Sequence, residues 1–233
     1  MSNKAKNVSA KKPENELESN VGEILSKSEQ FIENNKKAII IGVSVVVLIV
    51  VGIIGVRHGY LLPKEKEAQE AIFRGENYFQ NKEWDKALFG DSAQYIGFDA
   101  IANEYSITKT GKLANAYAGI CYFHKGEYEK AIALLKSFSA GDKLVSPALT
   151  GLIGDCYVEM DKTKEAVDYF MKAAQKADNN LISPVYLKKA GRVYESLGDY
   201  KKAAEVYTTI KEKYPTSSEA TDIDKFIKRA TAK

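Results

Sequence analysis

One arrangement of residues occurs three times in this chain: a glycine, an aromatic residue shortly after it, then an alanine, then a bulky residue. The copies are Gly119/Tyr122/Ala131/Leu135, Gly154/Tyr157/Ala166/Phe170 and Gly191/Tyr194/Ala203/Tyr207, all with the same internal spacing. A weaker copy stands at Gly75/Tyr78/Ala87. A helical hairpin accounts for this spacing. The glycine and the aromatic share one face of a first helix. A turn follows near Gly126 or Gly198, where glycine can enter the left-handed conformation that ends a helix. The alanine then opens a second helix, and its small side chain lets the two helices approach. The bulky residue one turn later returns to that face and is expected to fill the gap between hairpins. A single hairpin of this kind would leave an apolar flank in water, so the units must stack. The fold class that follows is all-α, a solenoid of helical hairpins.

In "YLKKAGRVYESLGDYKKAAEVYTTIKEKYP", the residues Ala190, Gly191, Tyr194, Gly198, Tyr200, Ala203, Tyr207 and Pro215 fall in the order and spacing of the tetratricopeptide (TPR) signature, and the segment resembles that family. The copy from Gly119 has Tyr122, Gly126, Tyr128 and Ala131, whereas the copy from Gly154 has Asp161 and Thr163 in place of the turn glycine and the aromatic. The resemblance implies a right-handed α-solenoid. Its repeats are expected at about 112–144, 147–180 and 184–216, within a domain spanning 57–233. An atypical first hairpin is expected at 64–106. There Asp91 stands where a bulky residue belongs, and an insertion, roughly "FGDSAQYIGFDA", precedes a helix around Ile101 to Tyr105. That insertion reads either as a loop that covers or recognises something, or as a longer hairpin loop packing over the end of the stack. At the other end Ala220, Ile223, Phe226 and Ile227 fall at helical spacing, as in a capping helix over 217–230.

Before this domain runs "AIIIGVSVVVLIVVGIIGV", Ala38–Val56, without a charge and with fourteen Ile, Leu or Val residues. As a helix it would extend about 28 Å, close to the thickness of a bilayer core. On an insertion scale its aliphatic residues contribute roughly −4 to −8 kcal/mol, which outweighs three glycines and a serine. The run lacks a polar face that could meet water, which argues against a buried core helix. The sequence "RHGYLLPKEKE" after it offers no small-x-small cleavage site, so a permanent transmembrane helix is expected rather than a signal peptide. Basic residues near the run are almost balanced, three before and four after. The Lys36-Lys37 pair beside a short tail favours the tail inside and the large domain outside the cytoplasm. Within the polar tail, 1–37, Leu17, Val21, Ile24, Leu25, Phe31 and Ile32 fall near helical spacing. A short amphipathic helix there could lie on the membrane surface or dock on a partner, the alternative being a weakly ordered linker.

The layout of polar tail, single span and TPR-like domain, with the junction "FIENNKKAIIIG", resembles the YfgM family of single-span inner-membrane proteins of Gram-negative bacteria. The resemblance implies a periplasmic domain, association with Sec translocon subunits, and contacts with periplasmic chaperones or emerging client polypeptides. A different expectation remains open: a TPR adaptor anchored to a membrane, its domain facing the cytoplasm and recruiting a soluble complex.

Composition excludes other classes. A net charge of +3, with lysines and glutamates interspersed, does not give the clustered basic face of a nucleic-acid binder. His58 and His124 have no Cys, Asp or Glu at ligand spacing, so no metal site is expected. "TKTGKLA" holds the Gly111-Lys112 pair, but Ser106 stands where a phosphate loop needs its earlier glycine. No nucleophile–base constellation stands out, so neither a catalytic activity nor a cofactor is expected. Cys121 and Cys156 occupy the same position in consecutive repeats. Equivalent atoms there should lie about 8–10 Å apart, too far for a disulfide, so free buried thiols are expected. Binding is expected on the concave surface lined by the first helices, at Ile120, Phe123 and His124; at Asp155, Val158 and Glu159; and at Lys188, Arg192 and Glu195. These residues run from apolar through acidic to mixed charge, a surface suited to extended or helical polypeptide.

Overall fold

The computed structural model describes residues 14–233 except 92, 93 and 139, with side chains described from residue 29 onward. The polar start of the tail and the side chains of Leu17, Val21, Ile24 and Leu25 lie outside the described residues. The chain divides into two units, one ending at Tyr60 and the other spanning Leu61–Lys233. The described part of the first is one helix, α1 (Glu14–Val56), followed by a π-helical turn at Arg57–Leu61. The tail helix expected from the sequence is therefore not a separate element. Its backbone continues into the apolar run without a break, because nothing between Glu14 and Val56 interrupts helix: Gly22, Gly42, Gly52 and Gly55 are tolerated, and no proline intervenes. The apolar part of α1 is long and apolar enough to cross a membrane, and none of it is buried within the protein.

The second unit is all helix among the described residues, apart from one isolated bridge between Asp91 and Tyr95. Its elements are α2 (Leu62–Gln80), α3 (Trp84–Phe89), α4 (Phe98–Glu104), α5 (Lys109–His124), α6 (Tyr128–Ser137), α7 (Val145–Glu159), α8 (Thr163–Ala177), α9 (Ser183–Ser196), α10 (Tyr200–Lys213) and α11 (Ile223–Thr231), the last preceded by a 3₁₀ turn at Ser218–Asp222. Each helix packs on the next in sequence, as short antiparallel connections require.

Four hairpin turns share one hydrogen-bond pattern. In the second, Gly126 N–H donates to Phe123 O and Glu127 N–H to Tyr122 O, which is the Schellman arrangement. The same pair of bonds recurs at Lys82/Glu83, Asp161/Lys162 and Gly198/Asp199. Each turn places one residue in the left-handed region: Lys82 at φ 59°, Gly126 at 78°, Asp161 at 57° and Gly198 at 76°.

The repeated glycines are sockets. A Cβ on Gly119 would stand 2.8 Å from Leu135 Cγ, one on Gly154 2.6 Å from Phe170 Cε1, and one on Gly191 2.3 Å from Tyr207 Cε1. The bulky residue thus packs into its own hairpin rather than between hairpins, which corrects the expectation from spacing. The alanine one turn earlier (Ala131, Ala166, Ala203) is fully buried and lets the second helix come close enough for the knob to enter. Contact between hairpins uses other residues: Tyr186 of α9 fills the space over Gly151 of α7, where a Cβ would meet its ring at 1.9 Å.

The first hairpin solves the missing-knob problem differently. Its second arm is split into α3 and α4, and the loop between them folds back so that Tyr95 and Phe98 both reach Gly75. Tyr95 Oη donates to Ala87 O at 2.8 Å, and both aromatic residues are buried. Asp91 is a loop former here. It accepts from Tyr78 Oη at 2.5 Å and from the amides of Gln94 and Tyr95 at 2.9 and 3.0 Å. The insertion thus supplies core to its own hairpin, while Phe89 and Ile96 remain exposed.

Candidate interaction surface

The nine residues singled out from the sequence lie on α5, α7 and α9 and fall into three local groups. On α5, Ile120 and Phe123 are half-buried against the core, and His124 is exposed at the helix end. His124 stacks on Trp84 with ring centroids 4.3 Å apart and planes within 9°, while Phe123 meets His124 edge-on at 5.5 Å. Burial and the nearby Lys82 charge hold the His124 imidazole below its ordinary pKa. On α7, Val158 and Glu159 are exposed, and Glu159 accepts a long hydrogen bond of 3.5 Å from Tyr128 Oη.

The charged positions are mostly occupied by ties between helices. Both carboxylate oxygens of Asp155 accept from Lys189 Nζ at 2.8 Å, joining α7 to α9. Lys188 pairs with Asp222 at 2.6 Å and lies 4.6 Å from the centre of the Phe226 ring. Glu195 receives Arg229 through two nitrogens, at 2.9 and 2.6 Å, which fixes α11 on α9. Arg192 is exposed between them. Three of the nine residues therefore stiffen the stack, and six present side-chain surface: Ile120, Phe123 and His124 on α5, Val158 and Glu159 on α7, and Arg192 on α9.

Trp84 fits the repeat pattern in the sequence but is not among the nine expected binding residues. Its signal is the recurrence of an acid–aromatic pair at the start of a second helix: Glu83-Trp84, Glu127-Tyr128 and Asp199-Tyr200. Phe79 and Tyr117 complete an aromatic run beside it, with Phe79 edge-on to Trp84 at 5.5 Å and to Tyr117 at 4.9 Å. Cys121 and Cys156 are free and buried, and burial pushes both thiols up to about 12. Such thiols are poor nucleophiles at neutral pH. Among the described residues no three His, Cys, Asp or Glu side chains converge as metal ligands would.

Two segments match tetratricopeptide-repeat family models: residues 151–176, which cover the C-terminal part of α7 and most of α8, and residues 187–217, which cover most of α9 and all of α10. Those two segments match tetratricopeptide repeats. A TPR repeat-containing protein of Methanocaldococcus jannaschii is 28% identical over 98 residues, which is 42% of this chain and 17% of that protein. The chain thus spans under a fifth of this relative's length. A crystal structure of nearly identical TPR-like repeats from Podosopora anserina superposes with a TM-score of 0.53 at 13% identity, over 72% of this chain and 86% of that one. At that identity the likeness speaks to fold alone. Tetratricopeptide stacks typically serve protein–protein interaction rather than catalysis.

Proposed function

We propose that this protein is a membrane-anchored scaffold for protein–protein interaction: a single-pass protein of a bacterial inner membrane whose tetratricopeptide domain lies in the periplasm. There it serves as an ancillary subunit of the Sec translocon, contacting periplasmic chaperones or emerging polypeptides. The observation that carries this reading is the presence, in one chain, of an exposed helix long enough to cross a bilayer and a stack of interaction repeats. The likeness of the "FIENNKKAIIIG" junction and of the overall layout to the YfgM family supports the periplasmic side and the translocon. Within the stack, the patch at Ile120, Phe123, His124 and Val158, followed by Glu159 and Arg192, is the binding surface. Asp155, Lys188 and Glu195 act behind it by holding the helices at fixed separation.

Photo-crosslinkers placed at Val158 and Arg192 in the intact membrane protein test the surface. Adducts with translocon subunits or periplasmic chaperones are expected, and none from Lys172 on α8. Equal labelling from all three positions would refute a dedicated surface. Protease added to spheroplasts should digest the domain as soon as the outer membrane is opened. A domain that survives until the inner membrane is lysed would instead support the cytoplasmic adaptor.

A further inference from the structure

The first arms of the hairpins, α2, α5, α7 and α9, run in the same direction, so their starts lie along one edge. Hydrogen bonds tie that edge together. Glu65, near the start of α2, accepts from the amides of Lys109 and Thr110 at the start of α5. Asn179 Nδ2 donates to Lys143 O at 2.9 Å, which joins the loops before α7 and α9. On this edge stand four aliphatic side chains that are at least half exposed: Ile107 at 55%, Leu144 at 50%, Val145 at 51% and Leu181 at 66%.

The two later loops repeat one sequence, Leu144-Val145-Ser146-Pro147 and Leu181-Ile182-Ser183-Pro184. Each is held by a side-chain cap. Asp142 Oδ1 accepts from Leu144 N at 2.9 Å, and Asn179 Oδ1 accepts from Leu181 N at 3.0 Å. These loops are therefore built to hold a leucine outward, twice, in register. Exposed Lys109 stands two residues after Ile107, and exposed Lys143, whose Nζ donates to Lys176 O at 3.1 Å, precedes Leu144.

The chain itself indicates what meets this edge. The second unit begins at Leu61, one residue before α2, and the apolar run ends at Val56, so only Arg57, His58, Gly59 and Tyr60 lie between. Even fully extended, that connection spans about 18 Å. The start of α2 is therefore tethered within that distance of the end of the apolar run. Aliphatic side chains beside lysines match the boundary between acyl chains and anionic headgroups. We propose that the edge carrying Ile107, Leu144, Val145 and Leu181 docks on the membrane, with Lys109 and Lys143 at anionic headgroups. The inference rests on reading residues 38–56 as a span.

The test uses the full chain reconstituted in vesicles of phosphatidylcholine and phosphatidylglycerol. A polarity-sensitive fluorophore is attached at Leu144→Cys or Leu181→Cys, with Lys164→Cys on the opposite edge as reference. Cys121 and Cys156 are buried and stay unlabelled. Emission from positions 144 and 181 should shift to shorter wavelength and be quenched by bromine-labelled lipid, with neither effect at 164. Water-like emission at both positions overturns the docking. Shifted emission that lipid-borne bromine does not quench overturns it too, in favour of a protein neighbour. Carbonate extraction of the same vesicles reads the anchor separately. Release of the protein refutes the span and the docking together, whereas retention with water-like probes refutes the docking alone.

Discussion

At Asp161 and Lys82 the backbone adopts a conformation that two other turns give to glycine. The register of the Gly/Tyr/Ala skeleton places these residues opposite Gly126 and Gly198, and all four share the same turn hydrogen bonds. Holding a residue with a Cβ in the left-handed region costs roughly 1–2 kcal/mol, less for Asp than for Lys because a short polar side chain tolerates it better. Asp161→Gly should therefore raise the unfolding free energy by about 0.5 kcal/mol, and Lys82→Gly by about 1 kcal/mol, after part of the gain is offset by the greater freedom of glycine in the unfolded chain. Denaturant titration checks this. The midpoint should rise without a change in slope, and a lower midpoint for Asp161→Gly would mean that its side chain stabilises the turn directly. The glycines and alanines of the skeleton were legible because a socket admits so few residue types. The partner of each socket was assigned to the wrong neighbour, since spacing shows which face a knob lies on but not which helix it enters.

The same limit explains the first hairpin. With Asp91 at the knob position, the sequence offers no local replacement, and the aromatics that fill the socket arrive from beyond a loop. Tyr95 and Phe98 could be found only by knowing that the chain turns back. Glu65 was invisible for the same reason. Its carboxylate caps a helix 44 residues away in sequence, accepting from Lys109 N at 2.7 Å, Thr110 N at 3.2 Å and Thr110 Oγ1 at 2.7 Å. Burial alone would push this carboxyl up, but the hydrogen bonds from Thr110 and Lys109 prevail and hold it below its ordinary range. A carboxylate with a lowered folded pKa contributes fully above its unfolded pKa and loses that contribution as pH falls through the folded value. Glu65→Ala should cost about 1–2 kcal/mol at neutral pH, since two helix-terminal amides lose an acceptor. The gap between variant and parent should narrow on acidification below the ordinary carboxylate pKa. Thermal unfolding across pH 3–7 measures it, and a gap independent of pH would show that the charge is not what the cap uses.

At the scale of the whole molecule, the buried residues among those described form two clusters, one from Ala68 to Cys156 and one from Ala166 to Ala230, with Tyr157 packed on both. The division falls inside the α7–α8 hairpin. Phe170 in the Gly154 socket, the Asp155–Lys189 pair and Tyr186 all cross it. Tyr186 is a bridge between hairpins. Its ring covers Gly151, its hydroxyl donates to Ala148 O at 3.1 Å, and it stacks near Phe170 at 6.2 Å. Glycine at 151 leaves no side chain to take over if the ring is removed, so Tyr186→Ala opens a cavity that α7 cannot close, at a cost of about 3 kcal/mol. In a solenoid, stability is a sum of unit and interface terms, and weakening one interface separates what lies on either side. Hydrogen exchange should then show the amides of α9, α10 and α11 opening well ahead of those in α5 and α6, whose rates stay at the parent values. Uniform acceleration throughout the domain would mean that the stack unfolds as one unit and that the break between the clusters has no energetic meaning. The outcome also bears on the scaffold. A C-terminal half that opens by itself would carry Lys188, Arg192 and Glu195 away from Phe123 and Val158, and a partner spanning both halves would bind Tyr186→Ala less tightly even though it never touches Tyr186.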